Sequence, residues 1–422
     1  MPVYRLLYST LWYLLCPFIL IKLLLRSRSS PEYAHNWRQR LGHVPCKAGP
    51  RIWLHAVSVG ETVAAKPLVK AIITQYPKHS LLISNTTPTG MQTAKRLFGD
   101  NVEHCYCPYD LPHVISRFLK HTQPDLLIIM ETEIWPNLLH QCKQQAIPVM
   151  IANARLSPRS TKGYTKVQRL IEAALANVSI IACRSQQDAE HFQQLGASTN
   201  QLTVSGNIKF DVVQGIQAST SPNIFTKFPQ QKILVAASTH QGEDEIILEI
   251  FKQLRQTFPT LQLILVPRHP ERFNDVFQLC QRAGLSTIRR SDTIKLDSSC
   301  DIILGDSLGE MAMWYANADV VFIGGSLVKT GGHNPLEATV FGVPVVSGPA
   351  VFNFQDVFTV LCEVNLAWVE PDSHHLIQRI TKQLQRTDED LAAFKEHAKL
   401  TLSTKAGVTE RLMSQVATLL RP

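Results

Sequence analysis

The sequence predicts an α/β protein of two doubly wound domains that face a cleft, behind an N-terminal membrane anchor helix. Three observations carry this expectation. An apolar stretch runs from Leu6 to Leu25, short β-rich apolar runs alternate with amphipathic stretches from Arg51 onward, and the same alternation restarts near Ile233. The 422 residues are 45% hydrophobic and 18% charged, which excludes disorder as the main state. At roughly 150 residues per domain the length fits two or three domains, each able to bury a core.

The first element, LLYSTLWYLLCPFILIKLLL over residues 6–25, is apolar except for Ser9, Thr10 and Lys22. It has the length needed to cross ~30 Å of hydrocarbon as a helix. It runs into Lys22, Arg26 and Arg28 rather than into a small-x-small cleavage site, so it reads as a retained anchor. Arg38 and Arg40 continue the basic cluster, which by the positive-inside tendency puts the large body in the cytoplasm. Pro17 and Lys22 keep a second reading open, a helix lying in the interface.

In the body, strands are expected at Ile52–Val57, Leu81–Ser84, Val102–Cys105, Leu126–Met130, Val149–Ala152 and Ile180–Ala182. Helices are expected between them at Glu61–Gln75, Gly90–Leu97, Val114–His121, Pro136–Gln145, Lys166–Ala176 and Gln186–Leu195. A polar stretch over residues 214–231 reads as a linker. The second round has strands at Ile233–Ala236, Leu263–Val266, Ile302–Leu304, Val320–Ile323 and Val345–Ser347. Its helices are expected at Glu245–Phe258, Phe273–Ala283, Gly309–Tyr315 and Leu336–Phe341.

A formal charge of +8 points to an anionic partner: nucleic acid, a phospholipid face or a phosphorylated substrate. The dense basic helix or known motif of a nucleic-acid binder is missing, so no nucleic acid is expected. The nine cysteines carry no C-x-x-C and read as reduced thiols. Cys105 and Cys107, two apart on one strand face, read as packing residues, and no metal ligand set is expected.

Ligands of open α/β sheets bind beyond the carboxyl ends of strands, so the residues just after strands are the functional candidates. After the first strand Gly60 permits a tight turn and Glu61 opens a helix, either as a general base or as a carboxylate complementing the helix dipole. After Leu126–Met130, alternation points Glu131 and Glu133 the same way ahead of Pro136, where like charges raise a pKa; alternatively one of them caps the helix. Arg155 and Lys209 also follow apolar runs and are offered to an anion.

In the second round Pro267 and Arg268 follow a strand, and the Arg fork suits phosphate or a nucleobase edge. The segment Asp306, Ser307, Leu308, Gly309, Glu310 opens a helix whose free N–H groups favour an anion. Gly324, Gly325, Gly331 and Gly332 surround the next strand end, where backbone can approach a phosphate. Glu337, in the first turn of the helix after Asn334, Pro335 and Leu336, could accept from a ribose diol. Neither a Walker loop nor a G-x-G-x-x-G fingerprint is present, which removes the ATPase and dehydrogenase readings.

These motifs in this order, LHAVSVGET at 54–62, METEIWPNLL at 130–139, NARLS at 153–157, GNIKFD at 206–211, PRHPERF at 267–273, GDSLGEM at 305–311 and GGHNPLEA at 331–338, resemble the bacterial Kdo transferases. Kdo is 3-deoxy-D-manno-oct-2-ulosonic acid. The resemblance implies two Rossmann-like domains of the GT-B type: an anchor at 1–28, an acceptor domain at 29–212, a linker at 213–231 and a nucleotide-sugar domain at 232–422 whose last helix packs back on the first domain. It implies an inverting glycosyltransferase that moves Kdo from CMP-Kdo to the lipid A precursor lipid IVA, at the cytoplasmic face of the bacterial inner membrane, in lipopolysaccharide core biosynthesis. Glu61 would be the base, and Glu131 and Lys209 would assist the transition state. Pro267, Arg268, Leu308, Gly309, Glu310, Asn334, Pro335, Leu336 and Glu337 would contact CMP. The choice of Glu131 over Glu133 rests on the resemblance alone. No cofactor is implied, because CMP-Kdo is itself a substrate.

Overall fold

The computed structural model describes residues 2–29, 32, 35–45, 48–212, 216, 231–292 and 299–420. The chain forms two compact units, Met1–Val212 with Lys405–Pro422, and Val213–Thr404. Of the linker expected over 213–231, all but Ile216 and Gln231 lie outside the described residues.

The first unit is built on β1 (Arg51–His55), β2 (Ser80–Asn85), β3 (Glu103–Tyr106), β4 (Leu126–Met130), β5 (Val149–Ala154), β6 (Ile180–Cys183) and β7 (Leu202–Val204). They form one seven-stranded sheet in the order β3-β2-β1-β4-β5-β6-β7, every pairing parallel. Parallel strands covered on both faces read as unbroken apolar runs, and β1 and β4 are buried at every residue. Successive residues feed opposite cores: Trp53 and Leu127 enter one, with Phe118 4.5 Å from Trp53 between ring centroids, while Ile52, Leu54 and Ile128 enter the other. Each such side chain contributes about 1.5–3 kcal/mol on burial.

The helix expected over Glu61–Gln75 is two helices, Val59–Ala64 and Lys66–Gln75. Pro67 lies in the first turn of the second and has no N–H to give to the preceding turn. Gly60 makes no tight turn. It sits inside the first helix, whose cap is Ser58, with Ser58 Oγ accepting from the Glu61 N–H. Arg40 does not belong to an exposed basic cluster, because it is buried, stacks 4.1 Å over the Tyr106 ring and donates to the Thr86 carbonyl.

The apolar N-terminal stretch is a helix, Pro2–Ser29, long and apolar enough to cross a membrane. One side of it packs on the first unit: Trp12 lies 6.1 Å from Tyr109 and 6.2 Å from Trp135 between ring centroids, and buried Ser9 donates to Asn137 Oδ1 at 3.1 Å.

The second unit repeats the plan with β8 (Ile233–Thr239), β9 (Gln262–Pro267), β10 (Thr287–Arg289), β11 (Ile302–Leu304), β12 (Val320–Ile323), β13 (Val345–Ser347) and β14 (Ala367–Val369), ordered β10-β11-β9-β8-β12-β13-β14, again all parallel. Phe251, Leu254, Phe322 and Leu376 fill one of its cores. Three strands, β7, β10 and β14, fall outside the sequence expectation. Each has three residues and each lies at a sheet edge; β7 (Leu-Thr-Val) and β10 (Thr-Ile-Arg) offer no apolar run to read, whereas β14 (Ala-Trp-Val) offers a short one that the sequence reading passes over.

The helix Val408–Leu419 belongs to the first unit. Val408, Leu412, Met413 and Val416 enter its core, and the Asp211 carboxylate accepts from the Thr409 N–H at 2.6 Å and Oγ1 at 2.7 Å.

Candidate active site

The chain order in the first sheet reverses between β1 and β4, so the crevice expected to take a ligand lies beyond the ends of those two strands. Glu61 and the pair Glu131 and Glu133 occupy it. Glu61 Oε2 accepts from the Val57 N–H at 2.7 Å and Oε1 accepts from Ser58 Oγ at 3.1 Å, so the carboxylate is pinned as part of a helix cap. The two sequence readings of Glu61 are therefore compatible, since capping fixes its orientation. Burial, ahead of the neighbouring charges of Glu131 and Glu133, raises its pKa from 4.5 to about 7. Burial and the Glu131 charge likewise hold Glu133 at about 7.

Glu131 and Glu133 do not point alike by strand alternation. Glu131 has φ 58, left-handed, so the strand geometry ends at Met130. Neither glutamate caps the following helix, Pro136–Gln144. Asp110 does so from another loop, its carboxylate accepting from the Asn137 N–H at 3.0 Å and the Leu138 N–H at 2.7 Å. Burial outweighs these bonds and keeps Asp110 at about 6.

Arg155 is drawn to the end of β4 by its backbone, its carbonyl accepting from Thr132 Oγ1. Lys209 comes from β7, the far edge of the sheet. The buried side chain of Asn153, at the end of β5, accepts from the Ile208 N–H at 3.1 Å and so draws the segment carrying Lys209 back over the middle of the sheet. Asn153 itself has φ 55, and residue spacing carries no sign of this bridge.

In the second unit the order reverses between β8 and β12. His240 follows β8 and His333 follows β12. Their Nε2 atoms are 2.9 Å apart, and the His269 ring is 5.3 Å from that of His240. Burial, then the positive charge around it from His240, Arg268 and His269, lowers His333 to about 4. Arg268 is exposed just past β9, its N–H donating to the Thr239 carbonyl, and its charge also acts on half-buried Glu337, which burial pushes upward. Asn334 joins this group, donating to Glu337 at 3.5 Å and accepting from the Leu336 N–H at 3.1 Å, while Pro335 and Leu336 are buried beneath.

Pro267 ends β9, and the turn after β11 lies beside it, with the Gly305 N–H donating to the Leu265 carbonyl. That turn carries exposed Leu308, then Gly309 with φ 86, then Glu310, whose carboxylate already takes Ser307 Oγ and, at 2.8 Å, Arg290 Nη2. Asp306 is likewise engaged, by Arg289 and Ser291.

The glycine loop after β12 is not open to a phosphate as expected. The fully buried carboxylate of Glu243 accepts from the N–H groups of Gly325 at 2.6 Å, Ser326 at 2.9 Å and Leu327 at 2.8 Å, and from that of His240 at 2.9 Å. This internal anion fills the nest. Among the described residues no group of His, Cys, Asp and Glu could hold a metal ion. Sequence reading missed Asp110, Asn153, His240 and Glu243. Of these, Asp110, His240 and Glu243 stand one to four residues past a strand end, where they could have been sought.

A family model described as 3-deoxy-D-manno-octulosonic-acid transferase (kdotransferase) matches residues 35–212. A protein of Haemophilus influenzae named 3-deoxy-D-manno-octulosonic acid transferase is 38% identical over 421 residues, 97% of each chain. One of the same name from Bordetella pertussis is 34% identical over 378 residues, 87% of each. Among solved structures, the UDP-GlcNAc 2-epimerase of Neisseria meningitidis bound to UDP-GlcNAc aligns with a TM-score of 0.57 at 10% identity, over 87% of this chain and 100% of that one. The S. aureus MnaA–UDP structure aligns at 0.53 and 14% identity, over 88% and 97%. These two share the fold.

Proposed function

The chain belongs to the 3-deoxy-D-manno-octulosonic acid (Kdo) transferase family and is a glycosyltransferase of lipopolysaccharide biosynthesis, and from this premise we propose that it carries Kdo from CMP-Kdo to lipid IVA with inversion, Glu61 acting as the base. The observation that supports this reading is a carboxyl group oriented at a topological switch point and poised near neutrality, at about 7. An acceptor hydroxyl must lose its proton as the new C–O bond forms, and a base with a pKa close to the working pH does this best.

The anomeric carbon of Kdo already bears a carboxylate and has no neighbouring hydroxyl, so departure of CMP builds oxocarbenium-like charge on the sugar while the phosphate gains negative charge. Lys209 meets that negative charge and Glu131 the positive. CMP is held by Pro267 and Arg268, by the Leu308, Gly309, Glu310 turn and by Asn334, Pro335, Leu336 and Glu337. A donor with one phosphate leaves a charge that Arg268 can balance from its own unit, so the reading needs no bound metal. The first unit serves the acceptor and the second the donor. The enzyme works at the cytoplasmic face of the inner membrane, where the helix Pro2–Ser29 holds it.

Incubating the purified chain with CMP-Kdo and lipid IVA, with mass spectrometry of the lipid, tests the reaction and counts the Kdo residues added. CMP should raise the melting temperature and UDP should not. An unmodified lipid, or stabilisation by UDP alone, sinks the reading.

A further inference from the structure

Half-buried or buried positions of the helix Pro2–Ser29 form a single stripe: Arg5, Tyr8, Ser9, Trp12, Cys16, Ile19, Leu20, Leu23 and Ser27. The spacing of three and four residues keeps them on one side from end to end. The stripe and the two exposed tyrosines that flank it, Tyr4 and Tyr13, carry specific bonds as well as packing. Ser9 reaches Asn137, Trp12 lies against Tyr109 and Trp135, Tyr13 OH meets His113 Nδ1 at 2.7 Å, and Arg169 donates to Tyr4 OH at 2.8 Å.

The opposite side is apolar and bare along the same length: Val3 is 60% exposed, Leu7 62%, Leu14 65%, Phe18 70%, Ile21 53% and Leu25 55%. No acidic residue occurs before Glu32, whereas the exposed cations Lys22, Arg26 and Arg28 do; Arg5 instead lies on the covered side, where its charge acts on Asp110. A helix that crosses a bilayer alone has lipid on every side. This one is tied to protein through Tyr4, Ser9, Trp12 and Tyr13 in its first half, and crossing would strip Asn137, His113 and Trp135 of their partners. Its other side matches acyl chains, and its cations match anionic headgroups.

We propose that this helix does not cross the membrane but lies in the plane of an anionic leaflet, wedged between acyl chains and the first unit. The inference rests on the membrane placement proposed above and specifies its geometry. Trp135, which Trp12 touches, stands two residues after Glu133, so the lipid-facing helix is seated directly beside the acidic strand end. An acceptor whose acyl chains stay in the bilayer then needs to raise only its sugar.

The test is topological. The full chain is given an N-terminal protease-cleavable tag and examined in spheroplasts and in inverted inner-membrane vesicles. In-plane seating leaves the tag on the side of the body, so that it is cut only in inverted vesicles; a crossing helix puts it outside, and cleavage in spheroplasts overturns the proposal. Depth gives a second reading. Val3 and Ile21 share a face and are about 27 Å apart along the axis at 1.5 Å per residue. Spin labels at Val3→Cys and Ile21→Cys, without Cys16, Cys46 and Cys362, in vesicles of phosphatidylethanolamine and phosphatidylglycerol should report equal depth, whereas a depth difference approaching that separation overturns the proposal. A chain recovered entirely in the soluble fraction overturns the membrane placement itself, and the in-plane seating with it.

Discussion

Glu61→Gln should make the protein slower and, above neutrality, more stable. A carboxyl group held at about 7 instead of 4.5 binds its proton more tightly folded than unfolded. Stability is therefore full below pH 4.5 and is lost as pH rises to about 7, a cost of about 3 kcal/mol at pH 8. Gln carries no charge and avoids that cost. Its amide oxygen can keep the Val57 N–H, and losing the charge-assisted part of the cap costs about 1 kcal/mol. The net gain is on the order of 2 kcal/mol at pH 8, or roughly 4–8 °C in melting temperature for a unit of this size, and it should vanish at pH 4. Turnover should fall by about 10²–10⁴-fold while CMP still binds. Rate and melting temperature measured on one preparation at both pH values check this. Retained turnover with equal destabilisation at pH 4 and pH 8 would refute the reasoning, because it would leave Glu61 as a cap and nothing more.

Glu133→Gln removes a like charge from Glu61 and should move the acid limb of the rate profile to lower pH, since the base then ionises earlier; a pH–rate profile that does not move counts against the acidic cluster as one electrostatic unit. Arg268→Ala should cost donor affinity about 1.5–3 kcal/mol by calorimetry with CMP, with acceptor affinity unchanged. Glu243→Ala leaves four backbone N–H groups without their acceptor and should cost at least about 3 kcal/mol in stability along with CMP binding, read by melting and calorimetry. Removing residues 1–25 should leave the circular dichroism spectrum of a folded body but lower its melting temperature, because Asn137, Tyr109 and Trp135 lose their cover.

The strands that position the chemistry were legible because a buried parallel strand has no reason to alternate. At Leu126–Met130 five apolar residues in a row fix both the strand and the place where Glu131 begins. What lay beyond the reach of pattern was the backbone after the strand. Alternation cannot foresee the left-handed turn at Glu131, and a glycine at position 60 looks like a turn until Ser58 is seen to cap the helix. Long-range polar bonds were equally hidden. Asn153 meets Ile208 across 55 residues, and Glu243 meets Gly325 across 82, so each is fixed by topology and leaves no local mark. Arg40 misled for a related reason, because charge in a sequence carries no sign of an aromatic ring waiting to cover it.

The helix Val408–Leu419 closes the core of the unit that begins the chain, and Asp211 waits for Thr409 across 198 residues. On the ribosome this reverses the order in which the parts mature. The unit of residues 213–404 has all its own strands before residue 405 is made, whereas the core cluster of the first unit that includes Ile208 lacks Val408, Leu412, Met413 and Val416 until residues 408–416 emerge. The half synthesised first is thus the half completed last, its core cluster incomplete throughout synthesis of the other. Chaperone binding to stalled nascent chains should accordingly persist past residue 404 and end only when that helix has cleared the exit tunnel.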